Sequence, residues 1–204
     1  MNFGEWWRYP QKPVRVNESI FEEINPDEYT LERKFDGHRL ILIREENSIK
    51  FYTREKRIIE IPTNLLNQLQ YLNIPKGTVL DGEIWTPTKR GSWRHNRDVV
   101  CSATFWDTMR FGYKNISNLP LSERRKFLLE VIPDGLPDLS FVLQEEVSLS
   151  KCLEIKKEAG KHKESTNAKS GFIHGVVLKR LDSPRRDNAV RSVEHPDWLK
   201  IIFF

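Results

Sequence analysis

A chain of 204 residues with 33 Lys+Arg against 29 Asp+Glu carries a formal charge of +4, and 38% of its residues are apolar. That length supports one large domain with a sizeable core, and two cysteines exclude a disulfide-built scaffold and read as thiols of a reducing compartment. No apolar run approaches the roughly 18 residues of a membrane span, no signal-peptide pattern opens the chain, and the modest positive charge permits a polyanionic partner without requiring one.

Residues 1–28 contain Trp6, Trp7, Pro10, Pro13 and Pro26 and read as an extended lead-in, packed on a domain spanning 29–204. From Tyr29, alternation and β-branched residues indicate two or three antiparallel strands, with turns at Gly37 and Glu46-Asn47-Ser48. Leucines at 65, 66, 69 and 72 follow a helical spacing. TVLDGEIWTP (78–87) returns to strand, KRGSWRHNRD is a polar loop, and 99–112 reads as a buried strand. LSERRKFLLEVIP is a helix with Ser122 as its cap and Leu128, Leu129 and Ile132 on its inner face. LSFVLQEEVS reads as strand. KCLEIKKEAGKHKE starts as a helix and fades into a polar tract around 161–170. FIHGVVLKRLD is strand, SPRRDNAVRSVEHPD loop, and WLKIIFF a final apolar strand. Strands dominate and helices interrupt them irregularly, which indicates an α+β fold with mainly antiparallel sheets.

The most informative segment is Glu32-Arg33-Lys34-Phe35-Asp36-Gly37-His38-Arg39, of form K-x-D-G-x-R. A lysine amine attacks phosphorus only when neutral, and at an unperturbed pKa of ~10.4 roughly a few molecules in ten thousand are neutral at pH 7. Neighbouring cations and partial burial raise that fraction. Arg33 and Arg39 supply local positive charge, and Gly37 lets backbone approach a ligand closely. Taken alone, the octapeptide reads equally well as an exposed lysine in a charged hairpin.

This octapeptide resembles the first signature of the covalent nucleotidyltransferases, the superfamily of ATP-dependent DNA ligases, RNA ligases and mRNA-capping guanylyltransferases. Five further segments resemble the remaining signatures in the expected order: FYTREKR (51–57), VLDGEIW (79–85), TFWD (104–107), GVVLKR (175–180) and DWLKII (197–202). The DNA ligases fit best. FWDTMRFGYKNISNLPLSERRKFLLEVI resembles their segment with P-L-x-x-R-R and a leucine helix. LKRLDSP with RSVEHPDWLK resembles their tail, although Arg185 stands where a tyrosine is common.

The resemblance implies a nucleotidyltransferase adenylation domain, ATP-grasp-like, with two mainly antiparallel sheets, flanking helices and the nucleotide in the groove between. It also implies roles. Lys34 would attack the α-phosphate of ATP to form lysyl-AMP, with Asp36 orienting it. The AMP would pass to a 5′-phosphate of nicked duplex DNA, and a 3′-hydroxyl would displace it. Glu32 would stand near the adenine amino group, and Arg33 in the same nucleotide site. Arg39 and Arg54 would contact ribose and phosphate, since guanidinium forks suit phosphate oxygens. Glu83 would hold the ribose hydroxyl and serve the metal. Trp106 would stack on the base, with Phe105 facing the opposite side. Lys179 and Lys200 would neutralise phosphate charge and favour the neutral Lys34 amine. Arg54, Arg185, Arg186 and Arg191 would meet DNA phosphates. Mg²⁺ is expected, because the departing pyrophosphate needs its charge offset. The implied setting is intracellular, cytoplasmic, nuclear or virus-encoded, in DNA repair or replication.

Two positions depart from the pattern. His174 replaces a carboxylate before Gly175 and cannot supply the hard oxygen ligand that Mg²⁺ prefers. Ile202 replaces the second lysine of the final strand. The chain stops just after that strand, so no OB domain is expected within it, and its apolar end asks for cover from another chain. These features point to weakened activity. An RNA ligase or capping guanylyltransferase, and a degenerate non-catalytic nucleotide- or nucleic-acid-binding module, remain the alternatives.

Overall fold

The alternating and β-branched runs do form strands, and the strands sort into two sheets. The computed structural model describes residues 8–85, 100–164, 173–189 and 193–203. The loop expected at 89–98 lies outside them, as does the polar tract beyond Glu164. The elements run β1 (Lys12–Arg15), β2 (Tyr29–Phe35), β3 (His38–Arg44), β4 (Ile49–Tyr52), β5 (Ile58–Ile59), α1 (Thr63–Gln70), β6 (Val79–Trp85) and β7 (Ser102–Phe111). Then come β8 (Lys114–Asn115), α2 (Leu121–Val131), β9 (Leu139–Phe141), α3 (Leu149–Glu164), β10 (Ile173–Arg180) and β11 (Glu194–Ile202).

The first sheet has the order β1-β11-β10-β2, antiparallel except for the parallel β1–β11 pair. The second has the order β5-β4-β3-β6-β7-β8, with β9 pairing parallel to β7. Each sheet has its own apolar core. Leu31, Val176, Leu178 and Ile201 of the first sheet pack with Cys152, Ile155 and Ala159 of α3. Leu40, Leu42, Leu80 and Phe105 of the second pack with Leu65 and Leu69 of α1 and Leu128 and Val131 of α2. Burial of this apolar area drives the fold. Both cysteines are buried thiols, and burial pushes Cys101 up to about 12 and Cys152 up to about 11.

Several sequence expectations change here. Gly37 does not turn a hairpin: β2 belongs to the first sheet and β3 to the second, so Asp36-Gly37 is a corner between sheets. The segment after β9 is not one strand, because it crosses between sheets. Val142 N–H reaches Phe105 O, and Glu145 then bridges Leu31. Helix α2 starts behind Pro120 without a side-chain cap from Ser122. Its buried face carries Arg124 and Arg125 with Leu121, Leu128 and Val131, while Leu129 is 45% exposed. The lead-in is woven in rather than laid on, since β1 is an edge strand of the first sheet. Strand β11 is therefore internal, flanked by β1 and β10, with Phe203 packed against the core. Ile201 and Phe203 of the apolar end pack on the first sheet's own core.

Candidate active site

The corner between the sheets builds the site. Lys34 is the penultimate residue of β2 and Arg39 the second of β3, so two residues of connection place an amine and a guanidinium at one groove. Gly37 is required by close approach: a Cβ there would run into the Ile84 carbonyl oxygen and meet Glu83 Cγ at 2.8 Å. Its N–H donates to Glu83 Oε1 at 2.7 Å, which ties the corner to β6.

A cleft of about 350 Å³ opens between the sheets, lined by Glu32, Lys34, Arg39, Arg54, Glu83, Trp106, Lys179 and Trp198 among others. Bulges shape it. In β7 the register passes from Asp107 opposite Asp81 to Phe105 opposite Gly82, leaving Trp106 as the extra residue. Bulges re-aim side chains. Phe105 lies in the core, Trp106 lines the cleft, and Asp107 pairs with Arg185 from the other sheet's connection. In β10 the register passes from Ile173 opposite Phe35 to Gly175 opposite Lys34, leaving His174 as the extra residue beside the amine's strand. Gly175 sits where a Cβ would strike the Ile201 carbonyl oxygen.

Most charges here are matched. Lys179 Nζ lies 2.5 Å from Glu32 Oε2, with the Trp198 and Trp106 rings 4.4 and 5.4 Å away. Burial pulls the Lys179 pKa down, while Glu32 and Asp107 oppose the shift. Arg125 Nη1 reaches Glu32 Oε1 at 3.3 Å, so two cations hold that carboxylate. Arg39 grips Asp81 through Nε at 2.7 Å and Nη2 at 2.5 Å, and its guanidinium lies 5.1 Å from the Trp106 ring centre. Burial pushes the Glu83 carboxyl above its usual range, against Lys34, the Gly37 N–H and Arg39.

Two cations here make no ion pair among the described residues. Among the described residues the only hydrogen bond of Lys34 Nζ is to Phe35 O, at 3.5 Å. Arg54 makes no ion pair among the described residues; burial and the nearby Arg39 lower its pKa. An anion entering the cleft would relieve both.

Other expected residues are placed differently. Arg33 borders the cleft, but its guanidinium is held by Glu145 at 2.8 Å through Nε and by Glu158 at 2.7 Å through Nη1. Lys200 Nζ is taken by Pro13 O at 2.9 Å and Glu194 at 3.2 Å, although Lys34 is near enough to help lower its pKa. Arg185 has a fully buried side chain, ion-paired with three aspartates, and is not available to a DNA phosphate. Arg186 is about half exposed and pairs with Asp197 at 2.8 Å. Arg191 is outside the described residues. Asp36 lies in the corner, close enough to raise the Glu83 pKa. Glu83 belongs to no cluster of three or more potential metal ligands among the described residues.

Sequence reading missed Trp198, Arg124, Arg125 and Gln11. Trp198 stood inside a quoted motif, where its alternation with Lys200 could have marked it as facing the groove. Gln11 gave no local signal. It is fully buried, its carbonyl accepts from Arg39 Nη1 at 3.1 Å, and its Oε1 accepts from Arg186 N at 2.8 Å.

Comparison with known proteins adds a family. The model of the ATP dependent DNA ligase domain matches residues 10–201. The SPbeta prophage-derived DNA ligase-like protein LigB of Bacillus subtilis (strain 168) is 30% identical over 196 residues, which is 90% of this chain and 64% of that protein. The chain thus spans less than two thirds of that relative. Among solved structures, a mycobacterial DNA ligase D complexed with ATP and MES gives a TM-score of 0.67 at 18% identity, covering 99% of this chain and 62% of that one. A Lig E DNA ligase, described as binding DNA with a minimal scaffold, gives 0.62 at 16% identity, covering 95% and 68%. At such identities the likeness is one of fold.

Proposed function

This chain belongs to the family of ATP-dependent DNA ligase domains, and on that premise we propose that it forms lysyl-AMP on Lys34 and delivers the AMP to nicked duplex DNA. The observation that carries this reading is the unmatched amine. Lys179 and Lys200 are held by carboxylates, whereas Lys34 stands in the cleft wall with no ion pair among the described residues. An amine without a carboxylate partner keeps its lone pair accessible once deprotonated.

In the first step the Lys34 nitrogen attacks the α-phosphorus of ATP. The bond from that phosphorus to the β-phosphate oxygen breaks, pyrophosphate leaves, and a lysine proton passes to solvent. In the second, a DNA 5′-phosphate oxygen attacks the same phosphorus, the P–N bond breaks and Lys34 recovers its amine. In the third, a 3′-hydroxyl attacks the activated 5′-phosphate and AMP departs. Arg54 and Arg39 are suited to the phosphate oxygens, Glu83 to a ribose hydroxyl, and Trp106 to the base, where stacking contributes ~1–3 kcal/mol in nucleic-acid complexes.

Mg²⁺ binds oxygen and commonly takes one or two carboxylates plus substrate phosphates. Glu83 fits a site of that shared kind, since only one of its oxygens is hydrogen-bonded among the described residues. The ion would offset charge on the departing pyrophosphate. The match to the DNA ligase domain model supports DNA over RNA as the substrate.

The test is labelling. Protein freed of bound nucleotide is incubated with Mg²⁺ and α-phosphate-labelled ATP or GTP, then denatured. Acid-labile label from ATP that disappears in Lys34→Ala is expected. Label from GTP alone would support the capping alternative. No label from either, on folded protein, would support a binding module.

A further inference from the structure

Asp81 of β6 and Asp107 of β7 stand directly opposite each other, and both are fully buried. Like charges paired across strands repel, and burial sharpens the penalty. Arg185, from the β10–β11 connection of the other sheet, bridges them. Its Nη2 lies 2.7 Å from Asp81 Oδ2 and its Nη1 3.1 Å from Asp107 Oδ2. Nε holds Asp187 Oδ1 at 2.7 Å, and the backbone N–H is anchored on Ser117 O at 2.7 Å. From Asp81 the chain of contacts continues to Arg39, and Arg39 lies over Trp106. From Asp107 it continues along the backbone to the bulge that presents Trp106.

We propose that Arg185 is a positioning residue of the cleft, one that clamps Asp81 to Asp107 and thereby sets Arg39 and Trp106 in place for a nucleotide. It does not line the cleft and does not touch the reacting atoms. The role needs a planar fork, because one ammonium cannot satisfy three carboxylates in fixed directions. A tyrosine, which the resemblance puts at this position, could donate to only one. The assignment rests on the reading that the cleft takes ATP.

The experiment uses Arg185→Lys, which keeps the charge and removes the fork, because Arg185→Met would leave two buried aspartates short of a cation and risks unfolding. Affinity for α,β-methylene-ATP is measured by calorimetry on wild type, Arg185→Lys, Arg39→Lys and the double variant, well below each unfolding midpoint. The Arg39 Nε–H signal is followed by NMR. Arg185→Lys is expected to weaken the analogue about tenfold or more, with the double variant no weaker than Arg39→Lys alone, as coupled residues require. The Arg39 signal is expected to shift and broaden. A lowered midpoint with wild-type affinity, or effects that simply multiply, would overturn the assignment. If wild type binds no analogue, the nucleotide reading falls, and the Arg39 signal still decides: a signal unmoved by Arg185→Lys overturns the positioning role.

Discussion

The layer between the two sheets uses the same kinds of side chain throughout, yet its two ends differ in how charge is balanced. At the closed end Asp81, Asp107 and Asp187 meet Arg39, Arg124 and Arg185, and every partner is found inside the chain. At the open end Lys34 and Arg54 have no carboxylate partner among the described residues. The difference shows that buried charge by itself does not mark a site. A matched network fixes geometry, and the unmatched remainder beside it is what a polyanion can complete.

The sharpest way to break this comparison is to remove one cation from each end. Lys34→Ala should lower lysyl-AMP formation by at least about a thousandfold, as loss of a nucleophile does, and leave urea stability within about 0.5 kcal/mol. Arg124→Met should do the reverse. Its side chain is fully buried against Asp107 at 2.8 Å, and breaking such a pair costs about 3–5 kcal/mol. Equilibrium urea unfolding reads that loss. Equal stability losses in both variants would erase the distinction between the ends.

Arg54→Met tests the open end again at smaller scale. It should weaken ATP binding about tenfold by calorimetry with the unfolding midpoint unchanged or slightly raised, since the guanidinium removed is partly buried and makes no ion pair among the described residues.

Acid titration tests the closed end. Arg39 and Arg185 outweigh burial and hold Asp81 down at about 2, below the usual 3.8. A depressed carboxyl contributes stability fully above its unfolded pKa and loses it as pH falls through the folded one. The wild-type stability curve should therefore fall between about pH 4 and pH 2, and Asp81→Asn should flatten that limb while lowering stability at neutral pH. The smallest contrast lies on α2: Leu128→Ala should cost about 2–5 kcal/mol and Leu129→Ala, at 45% exposure, less than about 0.5 kcal/mol.

Much of the cleft lining was legible in the sequence, because local motifs carry its residues. Lys34, Arg39, Arg54, Glu83, Trp106 and Lys179 each sit in a short segment of recognisable pattern, and the structure gathers them at one cleft. The closed end was not legible, because its partners are distant in sequence. Arg185 read as a contact for DNA phosphates, since nothing nearby shows that Asp81 and Asp107 converge on it. Arg33 read as a site residue by its place in the octapeptide, yet Glu145 and Glu158 hold its guanidinium. Alternation held at Phe105 and Trp106, which face the core and the cleft, although the bulges at Trp106 and His174 could not be read from the period. The corner at Gly37 looked like a hairpin because periodicity identifies strands without saying which strands pair.

The most direct test of the nucleophile is peptide mapping after a single exposure to Mg²⁺ and ATP. Protein stripped of nucleotide is treated, quenched above neutral pH, digested and searched for AMP by mass spectrometry. The adduct is expected on the peptide containing Lys34, absent from Lys34→Ala and retained in Arg54→Met at saturating ATP. An adduct on Lys179 or Lys200, or folded protein with no adduct at any ATP concentration, would contradict the claim that the unmatched amine is the nucleophile.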